Sequence, residues 1–298
     1  MSDARIKVSG REVEISNADK VLFPADGITK RDLAEYWVKI AETALPHFRN
    51  RPLTMRRFPD GIDTDGFFQK HIPEHFPDWI DRAELPKEGG TVTHVLANDA
   101  ATLVYLADQG CIEPHLALSR VNSPDHPDRM VFDLDPSDGD FAKVQDVAHA
   151  VRGALEDRGL PSFVATTGSR GLHIVLSLDA SAEVDALRPF ARGIAAQVAA
   201  AHPGLATTEQ RKAKRGDRVL VDTFRTAHGQ TAIAPYGVRA RAGAPVATPI
   251  RWDEAFSSDL TPDRYTISSV FRRLGQIEDP WAGIDDAPVK ATSLVEDS

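Results

Sequence analysis

The sequence has 298 residues, 42% hydrophobic and 27% charged, a composition typical of a folded globular protein with one large or two medium domains. A single cysteine, Cys111, excludes a disulfide framework and a zinc site built from cysteines. The formal net charge of -9 argues against a uniformly basic surface but allows local basic clusters. The sequence shows no secretory signal and no run of about 18 apolar residues, so we expect a cytoplasmic protein without a membrane partner.

The predicted elements alternate between helices and strands along the chain. Apolar spacing predicts an amphipathic helix over 28–44, with Thr29 as its N-cap. Further helices are predicted over 141–158 and 183–201. Strands are predicted over 51–58, 162–166, 172–178, 218–222 and 231–239. This order indicates an α/β or α+β fold in which charged side chains collect at strand ends. The acidic stretch over 286–298 is interpreted as a flexible tail.

Two aspartates stand one residue apart where a further predicted strand ends, in Phe132-Asp133-Leu134-Asp135-Pro136. Alternate residues of a strand point to the same face, so Asp133 and Asp135 are expected side by side, while Phe132 and Leu134 face the core. Carboxylates this close repel one another unless a shared proton, hydrogen bonds or a divalent cation offset the repulsion. A solvated strand end with turn-forming aspartates is the simpler interpretation.

A third aspartate, Asp222, ends the predicted strand over 218–222 in the same way. Three carboxylates at the ends of two strands are what a site for two Mg²⁺ or Mn²⁺ ions requires, because hard cations take oxygen ligands. The turn over 167–173 contributes backbone N–H groups, hydroxyls, an arginine and a histidine, a combination that can bind a triphosphate. The basic run over 211–218 is either a phosphate contact or a solvated face.

Short motifs occur along the chain in a recognisable order. They are Asn17-Ala18-Asp19-Lys20-Val21-Leu22-Phe23-Pro24, Arg57-Phe58-Pro59-Asp60-Gly61, Phe67-Phe68-Gln69-Lys70, Phe132-Asp133-Leu134-Asp135-Pro136, the turn over 167–173, and Asp222-Thr223-Phe224-Arg225. Over about 13–281 the chain resembles the polymerase domain of bacterial DNA ligase D, a member of the archaeo-eukaryotic primase superfamily. The resemblance implies an α+β primase-polymerase fold, with two mixed β-sheets flanking a catalytic cleft and helices around them.

The resemblance also implies a catalytic domain over 1–285 with two parts that have different roles. Its N-terminal part, about 1–110, would bind a 5′-phosphate and the template, and its C-terminal part, about 111–285, would carry the catalytic aspartates. A two-metal site of Mn²⁺ or Mg²⁺ would be held by Asp133, Asp135 and Asp222. Asp222 would in addition help to deprotonate the primer 3′-OH.

The remaining implied roles concern the nucleotide and the DNA. The incoming nucleotide would be held by His115, Thr167, Ser169, His173, Arg225 and Arg241. The 5′-phosphate at the far side of a gap would be held by Asn17, Lys20 and Lys30, and bases would pack on Phe67 and Phe68. The competing interpretations are that at least one phenylalanine ring packs in the core, that both lysines face solvent, and that His115 is a hydrogen-bonded structural histidine.

The activity that the resemblance implies is template-directed DNA or RNA synthesis that fills short gaps or ends, in non-homologous end joining or excision repair, with a preference for ribonucleotides and Mn²⁺. The implied partners are gapped or primer-template DNA with a 5′-phosphate, nucleoside triphosphates, a Ku-like end-binding protein and a separate DNA ligase, which suggests a nucleoid-associated location. In the turn, Arg170 and Thr167 stand where the family often has lysine and serine. The sequence contains no Lys-x-Asp-Gly adenylation motif, so we expect a stand-alone form.

Two other functions fit parts of the pattern. A phosphohydrolase could use Asp133 as nucleophile and Asp135 as general acid, although that class normally has threonine or valine two residues after the second aspartate, close to the start of the chain. A non-catalytic protein that binds DNA 5′-phosphate ends would need only the phosphate pocket and basic clusters. Such a protein would have no use for three carboxylates at strand ends, which repel DNA unless cations neutralise them.

Overall fold

The computed structural model describes residues 2–87 and 89–296, and the chain divides into two compact units. Unit 1 consists of Met1–Asn122, Ile233–Ala247 and Tyr265–Gln276. Unit 2 consists of Ser123–Ala232, Thr248–Arg264 and Ile277–Ser298. The boundary expected near residue 110 therefore lies further along, and the chain returns to unit 1 twice. The reason is that the strand beginning at Cys111 pairs with a strand of unit 1.

The described residues form sixteen strands and seven helices. The strands are β1 (Ala4–Val8), β2 (Arg11–Ile15), β3 (Val21–Phe23), β4 (Ile28–Thr29), β5 (Pro52–Arg57), β6 (Phe67–Gln69), β7 (Arg82–Lys87), β8 (Gly90–Leu96), β9 (Cys111–Ala117), β10 (Arg129–Pro136), β11 (Phe163–Thr166), β12 (Leu172–Ser177), β13 (Ala206–Thr207), β14 (Val219–Asp222), β15 (Thr231–Ile233) and β16 (Pro249–Ile250). The helices are α1 (Lys30–Phe48), α2 (Ala100–Asp108), α3 (Phe141–Glu156), α4 (Val184–Ala201), α5 (Trp252–Ala255), α6 (Val270–Leu274) and α7 (Ala291–Glu296).

Unit 1 is built on a sheet in which β9, β5, β8 and β7 lie side by side and β6 also pairs with β5. The described pairings among these strands are antiparallel. Helix α1 begins at the predicted N-cap, where Thr29 and Asp32 form a reciprocal capping box. The core between α1, α2 and the sheet includes the fully buried rings of Trp37 and Phe48, which pack edge to face.

Unit 2 is built on a mixed sheet of order β13-β14-β10-β12-β11-β16. Strand β13 runs parallel to β14, and the other neighbours are antiparallel. On β10, Phe132 and Leu134 are fully buried, whereas Asp133 and Asp135 are partly exposed, as the alternation predicted. Helices α3 and α4 lie against this sheet and against each other. The apolar residues of α3, such as Val144 and Val151, are fully buried.

The α+β fold class is confirmed, and three local predictions need correction. The helix predicted from 28 begins at Lys30, because Ile28–Thr29 pairs with β3. The strand predicted over 231–239 ends at Ile233, since Tyr236 has a left-handed backbone (φ 62°) that interrupts an extended strand. The stretch over 286–298, interpreted as a tail, contains α7, whose Ala291 and Leu294 are buried three residues apart on one helical face.

None of the helices in residues 2–87 and 89–296 combines the length and apolar character needed to cross a bilayer.

Candidate active site

The three predicted aspartates meet on one face of the unit 2 sheet. Asp133 of β10 lies directly opposite Asp222 of β14 in the antiparallel register, and Asp135 lies opposite Leu220. Directly opposite residues share a face, and so do residues two apart on one strand. The register therefore places all three carboxylates on the same face of the sheet. Phe132 and the helices lie on the other face.

Asp133 is held by two basic side chains of unit 2. Its Oδ1 lies 3.4 Å from Nε2 of His173, its cross-strand neighbour on β12, and its Oδ2 accepts a hydrogen bond from Nε of Arg225 at 3.2 Å. Burial raises the pKa of Asp133, but the charges and hydrogen bonds of His173 and Arg225 outweigh it and lower the pKa to about 2. Asp133 is therefore a carboxylate at neutral pH.

Asp135 has looser contacts with two arginines. A guanidinium nitrogen of Arg170 lies 3.3 Å from its Oδ1, and one of Arg215 lies 4.0 Å from its Oδ2. Burial raises the pKa of Asp135 and the charge of Asp133 adds to this, so that the pKa stays above its ordinary value despite Arg170 and Arg215. The two neighbouring carboxylates thus differ in proton affinity, as expected for like charges held together.

Asp222 accepts hydrogen bonds from the backbone N–H of Phe224 at 2.9 Å and from Nε2 of Gln210 at 3.4 Å. Within the described residues, no three His, Cys, Asp or Glu side chains are arranged to hold a metal ion. The donor chemistry nevertheless fits a hard divalent cation, because the set consists of three carboxylates on one sheet face. In this structure the oxygens of Asp133 and Asp135 instead face basic side chains, one histidine and three arginines.

The predicted phosphate-binding turn joins β11 to β12 beside these aspartates. Thr167 closes the turn, since its Oγ1 accepts hydrogen bonds from the N–H groups of Ser169 and Gly171 at 3.3 and 3.2 Å. Gly168 has a left-handed backbone (φ 64°). Any residue with a side chain at position 171 would force the backbone to move, because its Cβ would lie 1.8 Å from the carbonyl oxygen of Leu134. The turn thereby packs directly against β10.

The structure adds two residues to the site that were not predicted as site residues, Arg215 and Gln210. Arg215 is buried, and its guanidinium donates to the carbonyl oxygens of Glu209 and Gln210 at 2.8 and 2.6 Å. The basic run over 211–218 contained the signal for Arg215, but sequence spacing could not distinguish it from its exposed neighbours. Gln210 carried no sequence signal.

His115 and Arg241, also predicted to contact the nucleotide, belong to unit 1. His115 is nearly buried on β9, with Nε2 3.6 Å from Oε2 of Glu113. Glu113 is 2% exposed and also contacts Arg56 at 2.8 Å and Arg239 at 3.0 Å. The backbone N–H of Arg241 donates to the carbonyl oxygen of Arg239 at 2.8 Å. His115 is thus a neighbour of a buried acidic centre, whereas the bond described for Arg241 is to the backbone of Arg239.

The rings of Phe67 and Phe68 project from the short strand β6 and are 46% and 61% exposed. Neither ring therefore packs in the core. The guanidinium of Arg57 lies 5.7 Å from the centre of the Phe67 ring, and that of Arg56 lies 5.4 Å from the Phe68 ring. An exposed aromatic pair among arginines is a combination suited to bases and phosphates.

The predicted 5′-phosphate residues meet at the start of α1. The backbone N–H of Lys30 donates to the carbonyl oxygen of Lys20 at 2.9 Å, and that of Lys20 donates to Asn17 at 2.8 Å. Lys20 pairs with Asp60 at 2.7 Å. Lys30 is only 7% exposed and pairs with Asp108 at 3.2 Å, so the interpretation of Lys30 as a solvent-facing lysine is wrong.

The fold and the site define an α+β protein with a carboxylate centre on a mixed sheet. The family model described as "LigD, primase-polymerase domain" matches residues 29–281, and the chain belongs to this family. Among solved structures it is similar to the "Polymerase Domain from Mycobacterium tuberculosis Ligase D in complex with DNA", with a TM-score of 0.86 and 34% identity, over 93% of this chain and 99% of that one.

Two curated relatives give the same result. The multifunctional non-homologous end joining DNA repair protein LigD of Mycobacterium tuberculosis (strain ATCC 25618 / H37Rv) is 36% identical over 291 residues, which cover 94% of this chain and 38% of that protein. The bifunctional non-homologous end joining protein LigD of Bacillus subtilis (strain 168) is 31% identical over 265 residues, which cover 88% of this chain and 42% of that protein. The chain thus corresponds to about two fifths of each relative's length.

Proposed function

We propose that this protein is a divalent-metal-dependent, template-directed nucleotidyl transferase that fills short gaps or ends in non-homologous end joining, with a preference for ribonucleotides and Mn²⁺. The observation that carries the proposal is the register of β10 and β14, which sets Asp133, Asp135 and Asp222 on one sheet face. Membership of the LigD primase-polymerase family and the similarity to a polymerase domain solved with DNA support it.

The chemistry assigned to the site follows from its charges. Divalent cations bound by Asp133, Asp135 and Asp222 would supply Lewis-acid stabilisation of the phosphates. Asp222 would accept the proton of the primer 3′-OH. His173 and Arg225 now contact Asp133. With the divalent cations bound, these basic side chains would be available to the triphosphate beside the turn over 167–171.

The roles proposed for unit 1 concern the sugar and the DNA. We assign His115 to the sugar of the incoming nucleotide and Arg241 to its phosphates. The exposed rings of Phe67 and Phe68 would stack on template or gap bases, and Asn17, Lys20 and Lys30 would bind the 5′-phosphate. A Ku-like end-binding protein and a DNA ligase activity complete the proposed set of partners.

A single incubation separates this function from its rivals. The protein is mixed with a gapped duplex, Mn²⁺ and a labelled nucleoside triphosphate, and both primer length and free phosphate are measured. Primer extension is the expected result. Release of phosphate without extension would favour a phosphohydrolase, and DNA binding with neither product would favour an end-binding protein.

The matched variants are Asp222→Asn and Asp146→Asn. Asp222→Asn should reduce extension by at least about a hundredfold, because loss of one ligand and proton acceptor removes several kcal/mol of stabilisation. Asp146 is an exposed aspartate on α3 of the same unit, so Asp146→Asn should extend primers at the wild-type rate. Extension by Asp222→Asn near the wild-type rate would contradict the metal assignment.

The 5′-phosphate pocket has its own test, in which duplexes with and without a 5′-phosphate at the gap are compared by fluorescence anisotropy. Wild type should prefer the phosphorylated gap by roughly ten- to a hundredfold, and rising salt should weaken that preference. Lys20→Ala should abolish the preference, and Lys39→Ala, an exposed lysine of α1, should keep it. If wild-type protein binds the phosphorylated and the unphosphorylated gapped duplex equally, the pocket assignment is wrong.

A further inference from the structure

Unit 2 contains a cleft of about 490 Å³ that has no role in the function proposed above. It lies between α4, the segment after β13 and the end of β14. We call it the primer cleft, and its lining includes Arg188, Arg192, Gln210, Val221, Thr223 and Phe224.

The α4 side of the primer cleft is positively charged. Arg188 and Arg192 are four residues apart and therefore lie on one face of the helix. Arg188 is partly exposed and contacts Asp185 at 3.1 Å. Arg192 is exposed, and among the residues that the structure describes it has no ion-pair partner. Two arginines on one wall favour an anionic occupant such as a phosphate backbone.

The opposite side of the cleft carries an exposed aromatic ring. Phe224 is 56% exposed, which is unusual for so large an apolar side chain. Its backbone is fixed by the hydrogen bond from its N–H to Oδ1 of Asp222 at 2.9 Å. An exposed ring beside arginines offers a surface on which a base can stack and a basic wall that can contact phosphates.

The primer cleft lies next to Asp222, at the end of β14. Val221 lines the cleft, Asp222 projects to the opposite face of the sheet, and Thr223 and Phe224 line the cleft again. Gln210 also lines the cleft, and its Nε2 lies 3.4 Å from Oδ1 of Asp222. A nucleic-acid strand that ends at Asp222 can therefore pass around the end of β14 into the cleft.

We propose that the primer cleft binds the last nucleotides of the primer strand, with Phe224 stacking on a base and Arg188 and Arg192 contacting phosphates. The proposal rests on the proposed polymerase function, because that reaction requires a 3′ end at Asp222. The primer is the strand with such an end, whereas the template and the downstream strand pass through without one.

Photo-crosslinking identifies the strand that occupies the cleft. A 5-iodouracil is placed within the last three nucleotides of the primer, at the paired template positions, or in the downstream strand, and crosslinked peptides are identified by mass spectrometry. We expect a crosslink to Phe224 from the primer alone. A crosslink to Phe224 from the template or downstream strand, or none from the primer, would overturn the assignment.

Substitutions then measure the contribution of the cleft to binding. Phe224→Ala should weaken primer-template affinity by roughly five- to a hundredfold, and Phe224→Trp should restore it because stacking is retained. Phe256 is a partly exposed ring elsewhere in unit 2, and Phe256→Ala should keep wild-type affinity. Equal affinities of wild type and Phe224→Ala would contradict the stacking role.

The two arginines are tested by the salt dependence of binding to a primer-template. The double variant Arg188→Ala, Arg192→Ala should reduce the slope of log affinity against log salt by about 1.8, since each phosphate contact on duplex DNA contributes roughly 0.9. Arg264→Ala, which removes an exposed arginine of the same unit, should leave the slope unchanged. An unchanged slope in the double variant would remove the arginines from the proposal.

These experiments distinguish a failure of the primer cleft assignment from a failure of the proposed polymerase function. Primer extension by wild type without a primer crosslink at Phe224 refutes the primer cleft and leaves the polymerase function standing. Absence of extension by wild type refutes the polymerase function and with it the assignment of the cleft to a primer.

Discussion

A single carboxylate, Glu113, organises the basic side chains of unit 1. It contacts Arg56, Arg239 and His115 and accepts the N–H of Ala240 at 2.9 Å. Burial raises the pKa of Glu113, but the nearby imidazole of His115, the charge of Arg239 and the remaining contacts outweigh it, so the pKa lies far below its usual range. A buried carboxylate that stays charged in this way couples folding to pH.

The pH dependence of stability tests this interpretation of Glu113. Because its folded pKa is lowered, its contribution is fully present above the unfolded pKa, about 4.3, and is lost as the pH falls toward the folded value. In urea unfolding, Glu113→Gln should cost about 3 kcal/mol at pH 7, since Arg56 and Arg239 lose their buried partner. The difference between variant and wild type should shrink between about pH 5 and 3. A difference that is constant over this range would contradict the account.

At the scale of the element, the turn before β12 depends on one glycine. Gly171→Ala forces a Cβ against the backbone of β10, which cannot move without disturbing the sheet, so unfolding should become easier by more than about 3 kcal/mol. Gly153 on α3 has open space where a Cβ would lie, and Gly153→Ala should stabilise the protein by roughly 0.5–1 kcal/mol. Equal effects of the two substitutions on urea unfolding would show that the turn is not tightly packed.

The short strand β6 presents two exposed rings whose removal separates binding from folding. Phe68→Ala should weaken binding to a gapped duplex by about 1–3 kcal/mol, measured by anisotropy, because a stacked base loses its platform. Its urea midpoint should stay at the wild-type value, since the ring is largely exposed. A lowered midpoint with unchanged DNA affinity would instead indicate a structural role for the ring.

Patterns confined to one element were predictable from the sequence. The cap at Thr29 and the shared face of Asp133 and Asp135 depend only on neighbouring residues. The burial of Lys30 was not predictable, because its partner Asp108 lies 78 residues away and meets it only through the packing of α1 on α2. The burial of Arg215 was not predictable either, because sequence spacing does not distinguish it from its exposed neighbours in the basic run.

At the scale of the whole molecule, the sequence indicated which aspartates matter but could not supply their register. Asp222 was grouped with the other two by its matching context at a strand end and by family resemblance. Its position opposite Asp133 comes from the pairing of strands that are distant in sequence. The division into two discontinuous units was likewise not predictable from the sequence, because it depends on the packing of 233–247 and 265–276 with the N-terminal part of the chain.

The central claim is that this register builds one site for divalent cations. Mn²⁺ binding to the protein, with gapped DNA present and nucleotide absent, can be measured by electron paramagnetic resonance of free Mn²⁺. Wild type and Asp146→Asn should bind Mn²⁺ alike, and Asp133→Asn and Asp222→Asn should each weaken binding at least about tenfold, because a carboxylate ligand is lost from a shared site. Equal Mn²⁺ binding by all four proteins would contradict the account.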